Sequence, residues 1–244
     1  MSTNNLYENF HSKLKLQKRV ISEKDFTYRN IINEIGSFIK KTVSVLDIGC
    51  GAGTLSYYLA AKGNSVKGVD LSRNAVLMAR KNSKLLGLEK RMRFEVRNFP
   101  DEKISGVYDL VLLIEVIEHI RDDYKAIRQA YKLVKRGGIL LISVPSKNSP
   151  LYKLGLLTKF DDRVGHLRRY NTEELSKLVR ESGLSIKKIS LYEGVLRNLF
   201  FTNNFLGIFL RFIKGYASDA ITFLDNILVK SFDSSQIILV ATKK

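Results

Sequence analysis

Between residues 45 and 53 an apolar run breaks into glycines at positions 49, 51 and 53, Val-Leu-Asp-Ile-Gly-Cys-Gly-Ala-Gly, and a helical pattern follows at once. Such a junction suits a strand entering a tight turn, where missing side chains let the backbone approach a ligand closely, and then a helix. The same alternation recurs along the chain. Short apolar runs at 43–48, 65–70, 92–97, 108–114 and 138–144 are interleaved with helical patterns at 54–62, 73–86 and 122–135. Repeated βα units predict an α/β fold, a doubly wound and mostly parallel sheet with helices on both faces.

The predicted helix ends agree with that parsing. Ser72 is placed to cap 73–86, Asp122 and Asp123 put negative charge at the start of the next helix, and Gly137 and Gly138 are expected to end it. After Pro145 comes a loop rich in Ser, Lys and Asn, then a helix over 172–182 opened by a capping box of Asn171 and Glu174. Strands are expected at 184–192 and 235–243, the last closing the sheet in antiparallel sense. The stretch 193–233 between them is too long for a hairpin and carries two apolar helical patterns, so it reads as a helical insertion. Residues 5–41 read as an N-terminal helical cap, with Phe26, Ile31, Ile32, Ile35 and Ile39 near helical spacing. Two units follow: a cap at 1–42 and a main domain at 43–244.

Of 244 residues 45% are hydrophobic, enough for one sizeable core, and a formal charge of +17 favours anionic partners. Basic residues outnumber acidic ones in 1–44, 45–145 and 146–244 alike, so there is no detachable basic tail. Cys50, the single cysteine, excludes an internal disulfide and reads as a small loop filler. The first thirty residues hold no apolar run of signal-peptide length, which predicts a cytoplasmic chain. The most apolar stretch, 195–214, is interrupted by Arg197, Asn198, Asn203, Asn204 and Arg211 and does not read as a membrane span.

About twenty residues beyond the glycines a second strand ends in Asp70, where a carboxylate can accept hydrogen bonds from both ribose hydroxyls. A dinucleotide fingerprint would want Gly or Ala where this chain has Thr54, and Asp47 would bring negative charge towards a pyrophosphate. A nucleoside cofactor without phosphate fits better, and S-adenosylmethionine, with its ammonium and sulfonium, is attracted by such carboxylates. On Val-Leu-Asp-Ile-Gly-Cys-Gly-Ala-Gly the chain resembles the Rossmann-like class I S-adenosylmethionine-dependent methyltransferases. The resemblance implies that Asp47, Gly49, Gly51 and Gly53 border the methionine moiety and that Asp70, with Leu71, holds the ribose. It also places Asn98 and Phe99 beside the adenine. Many relatives have Asp where this chain has Asn98.

The run Tyr-Asp-Leu-Val-Leu-Leu-Ile-Glu-Val-Ile-Glu-His-Ile over 108–120 sets Glu115 at a strand end, with Glu118 and His119 three and four positions on. In a doubly wound sheet the crevice lies beyond the carboxyl ends of the strands, so this trio should border the transferred methyl. Only three histidines occur, His11, His119 and His166, and His166 lies in the loop after Pro145. Two carboxylates and two imidazoles suit a divalent cation, magnesium, manganese or zinc. A metal-free reading stands beside it, with Glu115 on the methionine ammonium and His119 as general base. The E-x-x-E-H string is similar to that of quinone-pathway O-methyltransferases and of metal-dependent RNA 2′-O-methyltransferases. For both, the resemblance implies a metal at Glu115, Glu118, His119 and His166. Leu167-Arg168-Arg169-Tyr170 departs from the aromatic-acidic-aromatic stretch of the RNA enzymes.

The expectation is therefore methyl transfer to a hydroxyl of a small or lipid-linked acceptor, with RNA 2′-O-methylation as the leading alternative. A non-catalytic partner protein that keeps the fold is a reading of another class, and nicotinamide-dependent oxidoreduction ranks below it. Lys147, Lys153, Lys159, Arg163, Arg168 and Arg169 are expected to face an anionic group on the substrate, and Tyr170 to anchor the loop. The insertion, rich in Phe and Leu with Arg197, Arg211 and Lys214 alongside, reads as core packing, contact with an acidic membrane surface, or a dimer contact. Oligomeric state is left open.

Overall fold

The computed structural model describes residue 8 and residues 16–39, 41–202 and 216–244. Its centre is a seven-stranded sheet of β1 (Ser44–Ile48), β2 (Ser65–Asp70), β3 (Met92–Val96), β4 (Tyr108–Ile114), β5 (Val134–Pro145), β6 (Ser185–Tyr192) and β7 (Gln236–Thr242). The order is β3-β2-β1-β4-β5-β7-β6. Parallel pairing joins β1 to β2 and β4, β2 to β3, and β4 to β5, whereas β7 runs antiparallel to both β5 and β6. The winding reverses between β1 and β4, which opens a crevice at their carboxyl ends.

Both faces are covered, as continuous apolar strands require. On one face α1 (Arg29–Phe38), α2 (Thr54–Ala61) and α3 (Arg73–Leu85) pack on Val45, Val66, Leu110, Leu112, Leu141, Ile238 and Val240. The other face carries α4 (Asp123–Leu133) and α7 (Thr172–Glu181) against Leu46, Ile48, Val111, Leu113, Leu140, Ile142 and Leu239. These strand side chains are at most 1% exposed, or 2% for Val66, and each stabilises the fold by roughly 1.5–3 kcal/mol relative to an exposed position.

The local signals at helix ends act as expected. Ser72 Oγ accepts from Ala75 N–H, Asp122 accepts from Lys125 N–H, and Asn171 with Glu174 makes a reciprocal capping box. Gly137 and Gly138 do not end α4. Val134 is already extended, and the two glycines lie in an irregularity inside β5, where pairing jumps from Tyr108–Val134 to Leu110–Ile139. Gly137 takes a φ of +72° there, and a Cβ on Gly138 would sit 2.9 Å from the carbonyl of Lys135.

The stretch after Pro145 is more ordered than its composition suggested, with short helices α5 (Pro150–Lys153) and α6 (Thr158–Val164). In the N-terminal region, helix among residues 16–39 is confined to α1, because the Asp25 carboxylate accepts from the N–H groups of Thr27 and Tyr28 and makes a turn before it. His11 lies outside the described residues, as do Asn203, Asn204, Arg211, Lys214 and the phenylalanines between them.

The insertion contributes α8 (Val195–Thr202) and α9 (Tyr216–Phe232). Arg197, which interrupts the apolar pattern, is 0% exposed. Its guanidinium donates to the carbonyl of Phe26 at 2.6 Å, lies 3.2 Å from the Glu193 carboxylate and stacks on the Phe26 ring. Asp225 of α9 accepts from the N–H groups of Gly194 and Arg197, and Asp219 pairs with Lys24 and Arg29. Polar residues thus bind α8 and α9 to each other and to the N-terminal segment. No described helix is long and apolar enough to cross a membrane.

Candidate active site

The glycine turn is folded against β2. Gly49 and Cys50 N–H both donate to the Val69 carbonyl, and the three glycines take φ values of +71°, +52° and +89°. At Gly49 the need is steric as well: a Cβ would meet Val116 Cγ2 at 2.5 Å. Asp70 closes the turn, accepting from Gly51 N–H at 2.8 Å and Ser72 N–H at 2.9 Å. Leu71 beside it is half-buried. Each carboxylate oxygen keeps a further lone pair for a ligand hydroxyl.

Asp47 is buried beneath the turn and accepts from Ser56 Oγ at 2.5 Å. Burial pushes its pKa up to about 7 against the effect of the Ser56 bond, and the charge of Asp70 adds to the rise. Just after the turn, Thr54 Oγ1 donates to Gln17 Oε1 at 2.9 Å. At the end of β3, Asn98 is exposed and Phe99 half-buried against the core.

After β4 the chain turns sharply. Glu115 adopts a φ of +53°, and a 3-10 turn follows at Ile117–His119. The two carboxylates differ in their hydrogen-bond surroundings. Glu115 accepts from Ser143 Oγ of β5 and, at 3.4 Å, from Gln236 Nε2 of β7. Glu118 is 0% exposed, and neither of its oxygens has a hydrogen-bond partner among the described residues. Burial drives its pKa well above the ordinary carboxylate range, and the nearby charge of Glu115 pushes the same way.

Two imidazoles face Glu118. The Nε2 atoms of His119 and His166 each lie 3.9 Å from Glu118 Oε1, and the two rings are 4.9 Å apart. His119 Nδ1 is 3.0 Å from the Gly165 carbonyl, and His166 Nδ1 is 2.9 Å from Asp161 Oδ1. Both contacts require a proton on Nδ1, which leaves Nε2 as the lone-pair nitrogen of each ring. Burial lowers the pKa of His119 to about 4, keeping that ring neutral. Ligand atoms of Glu118, His119 and His166 lie within 4.8 Å of one another; Glu115 is not among them.

Residues 21–189 match the family described as a methyltransferase domain. The chain belongs to the methyltransferase-domain family. Its fold is that of the class I, S-adenosylmethionine-dependent members. It is 31% identical over 155 residues to a ubiquinone biosynthesis O-methyltransferase of Pseudomonas paraeruginosa, over 64% of this chain and 65% of that protein. A ubiquinone biosynthesis O-methyltransferase of Nitrosomonas europaea is 34% identical over 161 residues, again covering 64% of this chain and 65% of the relative. The chain thus spans just under two thirds of the length of these relatives. Among solved structures, magnesium protoporphyrin IX methyltransferase of Synechocystis PCC 6803 with bound SAH superimposes with a TM-score of 0.62 at 18% identity, over 98% of this chain and 94% of that one.

For a methyltransferase-family crevice, sequence patterns left out several residues that organise the site. Asp161 orients His166 and also takes a two-pronged contact from Arg169, at 2.8 and 2.6 Å. Ser143 was hidden in an apolar strand, its hydroxyl the one irregular feature of Gly-Ile-Leu-Leu-Ile-Ser-Val. Four of the six loop basics are paired with carboxylates of this chain, Arg169 in a buried pair and Lys147 and Lys153 in exposed ones. Arg168 pairs with Asp123, Arg169 with Asp161, Lys147 with Glu174 and Lys153 with Asp233. Tyr170 does anchor the loop: it is buried and donates to Asp123 at 2.8 Å.

Proposed function

We propose that the chain is an S-adenosylmethionine-dependent O-methyltransferase acting on a hydroxyl of a small or lipid-linked acceptor, in the manner of the ubiquinone-pathway relatives. The observation that carries the reading is the convergence of Glu118, His119 and His166 at the end of β4, one strand from the glycine turn after β1 and two from Asp70 at the end of β2. The donor set fits a divalent cation: an orphaned buried carboxylate oxygen is faced by two imidazole lone pairs, and each ring is oriented by a second hydrogen bond. Two nitrogens and one carboxylate favour zinc over magnesium.

In this reading Gly49, Gly51 and Gly53 admit the methionine moiety, Asp47 lies beneath it, and Asp70 with Leu71 takes the ribose. Asn98 and Phe99 border the adenine. When bound, S-adenosylmethionine supplies the electrophilic methyl, and a cation lowers the pKa of the acceptor hydroxyl. Glu118, His119 and His166 hold that cation, and Glu115, fixed by Ser143 and Gln236, borders the methyl position. Orientation of the hydroxyl in line with the methyl supplies most of the rate.

The raised pKa of Glu118 supports a second reading without a cation, in which Glu118 is protonated and His119 Nε2 takes the hydroxyl proton. Activity in excess chelator separates the two. The relatives' activity supports neither the RNA nor the non-catalytic alternative. Phe223, Leu224 and Ile227 are exposed on α9, as are Leu154 and Leu156 beyond α5. With the net charge of +17 they support docking at an acidic membrane, where a lipid-linked acceptor resides.

Titration with S-adenosylhomocysteine tests the cofactor assignment. Replacement of Asp70 by Ala should weaken binding by about tenfold or more, and unchanged affinity contradicts it. Methyl incorporation from labelled S-adenosylmethionine into a catechol tests the reaction; transfer to RNA instead overturns the small-acceptor reading.

A further inference from the structure

We propose that Glu8 is a positioning residue for the cofactor ribose: acting through Ser72, it fixes the turn that carries Asp70. The inference rests on the S-adenosylmethionine reading above and adds to it a residue from the far N-terminal part of the chain.

Helix α3 begins directly after the Asp70 turn, and its own residues charge that end poorly. Its first turn holds no acidic residue, and Arg73 sets a cation at the positive end of the helix dipole. Ser72 Oγ caps one of the first N–H groups, that of Ala75, at 3.1 Å. The N–H groups of Arg73 and Asn74 donate instead to the Glu8 carboxylate, at 2.7 and 3.3 Å, and Arg73 lies 65 residues further along the chain. A carboxylate in that place makes charge-assisted bonds and complements the dipole.

The same carboxylate reaches the cofactor turn through one hydroxyl. Ser72 Oγ accepts from Ala75 N–H and donates its own proton to Glu8 Oε2 at 3.1 Å. Ser72 N–H donates to Asp70 Oδ1 at 2.9 Å, and Asp70 Oδ2 accepts from Gly51 N–H at 2.8 Å. One serine therefore joins Glu8 to Asp70, and Leu71 is the single residue between Asp70 and that serine.

Gln17 attaches the N-terminal segment to the same part of the fold. Its N–H donates to Asn82 Oδ1 of α3 at 3.1 Å, and its side-chain oxygen accepts from Thr54, the first residue of α2. Residues 8 and 17 thus engage the two helices that follow the glycine turn and Asp70.

A cap that served folding alone would support α3 without discriminating between ligands. Placement of Asp70 has a narrower consequence, because a carboxylate selects a hydroxyl only when it is held within about 0.5 Å of the productive geometry. Loss of Glu8 should therefore be felt more by a ligand with both ribose hydroxyls than by one lacking the 2′-hydroxyl.

Calorimetry on the full chain with S-adenosylhomocysteine and its 2′-deoxy analogue tests this. The wild type should prefer the ribonucleoside by about tenfold or more. In Glu8→Ala, affinity for S-adenosylhomocysteine should fall about fivefold or more, and the preference should narrow to within about threefold. Glu8→Gln keeps an oxygen that accepts from the same N–H groups and should recover part of the loss; it carries the test alone if Glu8→Ala fails to fold. Unchanged affinities, or equal losses for the two ligands, overturn the inference. Absence of S-adenosylhomocysteine binding in the wild type, or binding without ribose preference, instead removes the cofactor reading beneath it.

Discussion

His166 presents Nε2 to Oε1 of Glu118 across 3.9 Å, although 47 residues of chain separate them, and its opposite nitrogen is fastened to Asp161 at 2.9 Å. The spacing is too long for a hydrogen bond and leaves room for an ion between the two atoms. Chelator-treated protein should therefore bind zinc in calorimetry. Glu118→Gln and His166→Ala should each weaken binding by about tenfold or more, whereas Glu115→Gln should have a smaller effect. Absence of zinc binding in the wild type would remove the metal assignment.

Asp161 is a positioning residue. Burial works against its carboxylate, but the hydrogen bonds from His166 and Arg169 outweigh it and hold its pKa below the ordinary value. Asp161→Asn weakens both bonds and frees the His166 ring to change tautomer. Zinc affinity should fall about 10–100-fold while S-adenosylhomocysteine affinity stays unchanged. Equal zinc affinity in the variant would leave Asp161 a purely structural role.

Asp47 gives stability a pH dependence with a definite sign. Its folded pKa of about 7 lies above the ordinary 3.8, so the native state binds more protons between those values. Its contribution is complete below the lower value and is lost as pH rises through the upper one. Between pH 5 and pH 8 this removes up to about 3 kcal/mol. Urea unfolding at the two pH values should show a larger loss in the wild type than in Asp47→Asn. Equal losses would disprove the assignment.

The apolar face of α9 offers a test of membrane docking. Phe223 and Ile227, four residues apart on one side of the helix, are 66% and 50% exposed. The protein should sediment with phosphatidylglycerol vesicles at low salt, and Phe223→Ser with Ile227→Ser should reduce the bound fraction about tenfold. Complete recovery of the wild type in the supernatant counts against the docking proposal.

Helix caps and glycines were legible because they act over a few residues. Ser72, Asn171 and Glu174 make their bonds within one turn, so sequence spacing alone specifies them. Gly137 and Gly138 misled because glycine serves a helix end and a strand irregularity equally well, and pairing with β4 and β7 decided between them. The loop arginines misled for a similar reason: a charge read as exposed was neutralised by Asp123 and Asp161, distant in sequence or hidden in an unforeseen helix.

By itself the sequence determined the order of the strands and of the longer helices between them, the glycine turn with its acidic partner Asp70, and the presence of Glu115, Glu118 and His119 at a strand end. Tertiary structure decided which of those groups meet. Only the folded chain brings His166 to Glu118 with Asp161 behind the ring, sets Glu115 against Ser143, and leaves Gln236 and Asn198 with unpaired oxygens among the described residues. Local propensity is encoded within a turn or two of chain. Convergence of buried polar groups depends on how the sheet and its crossovers pack, and no spacing along the chain records it.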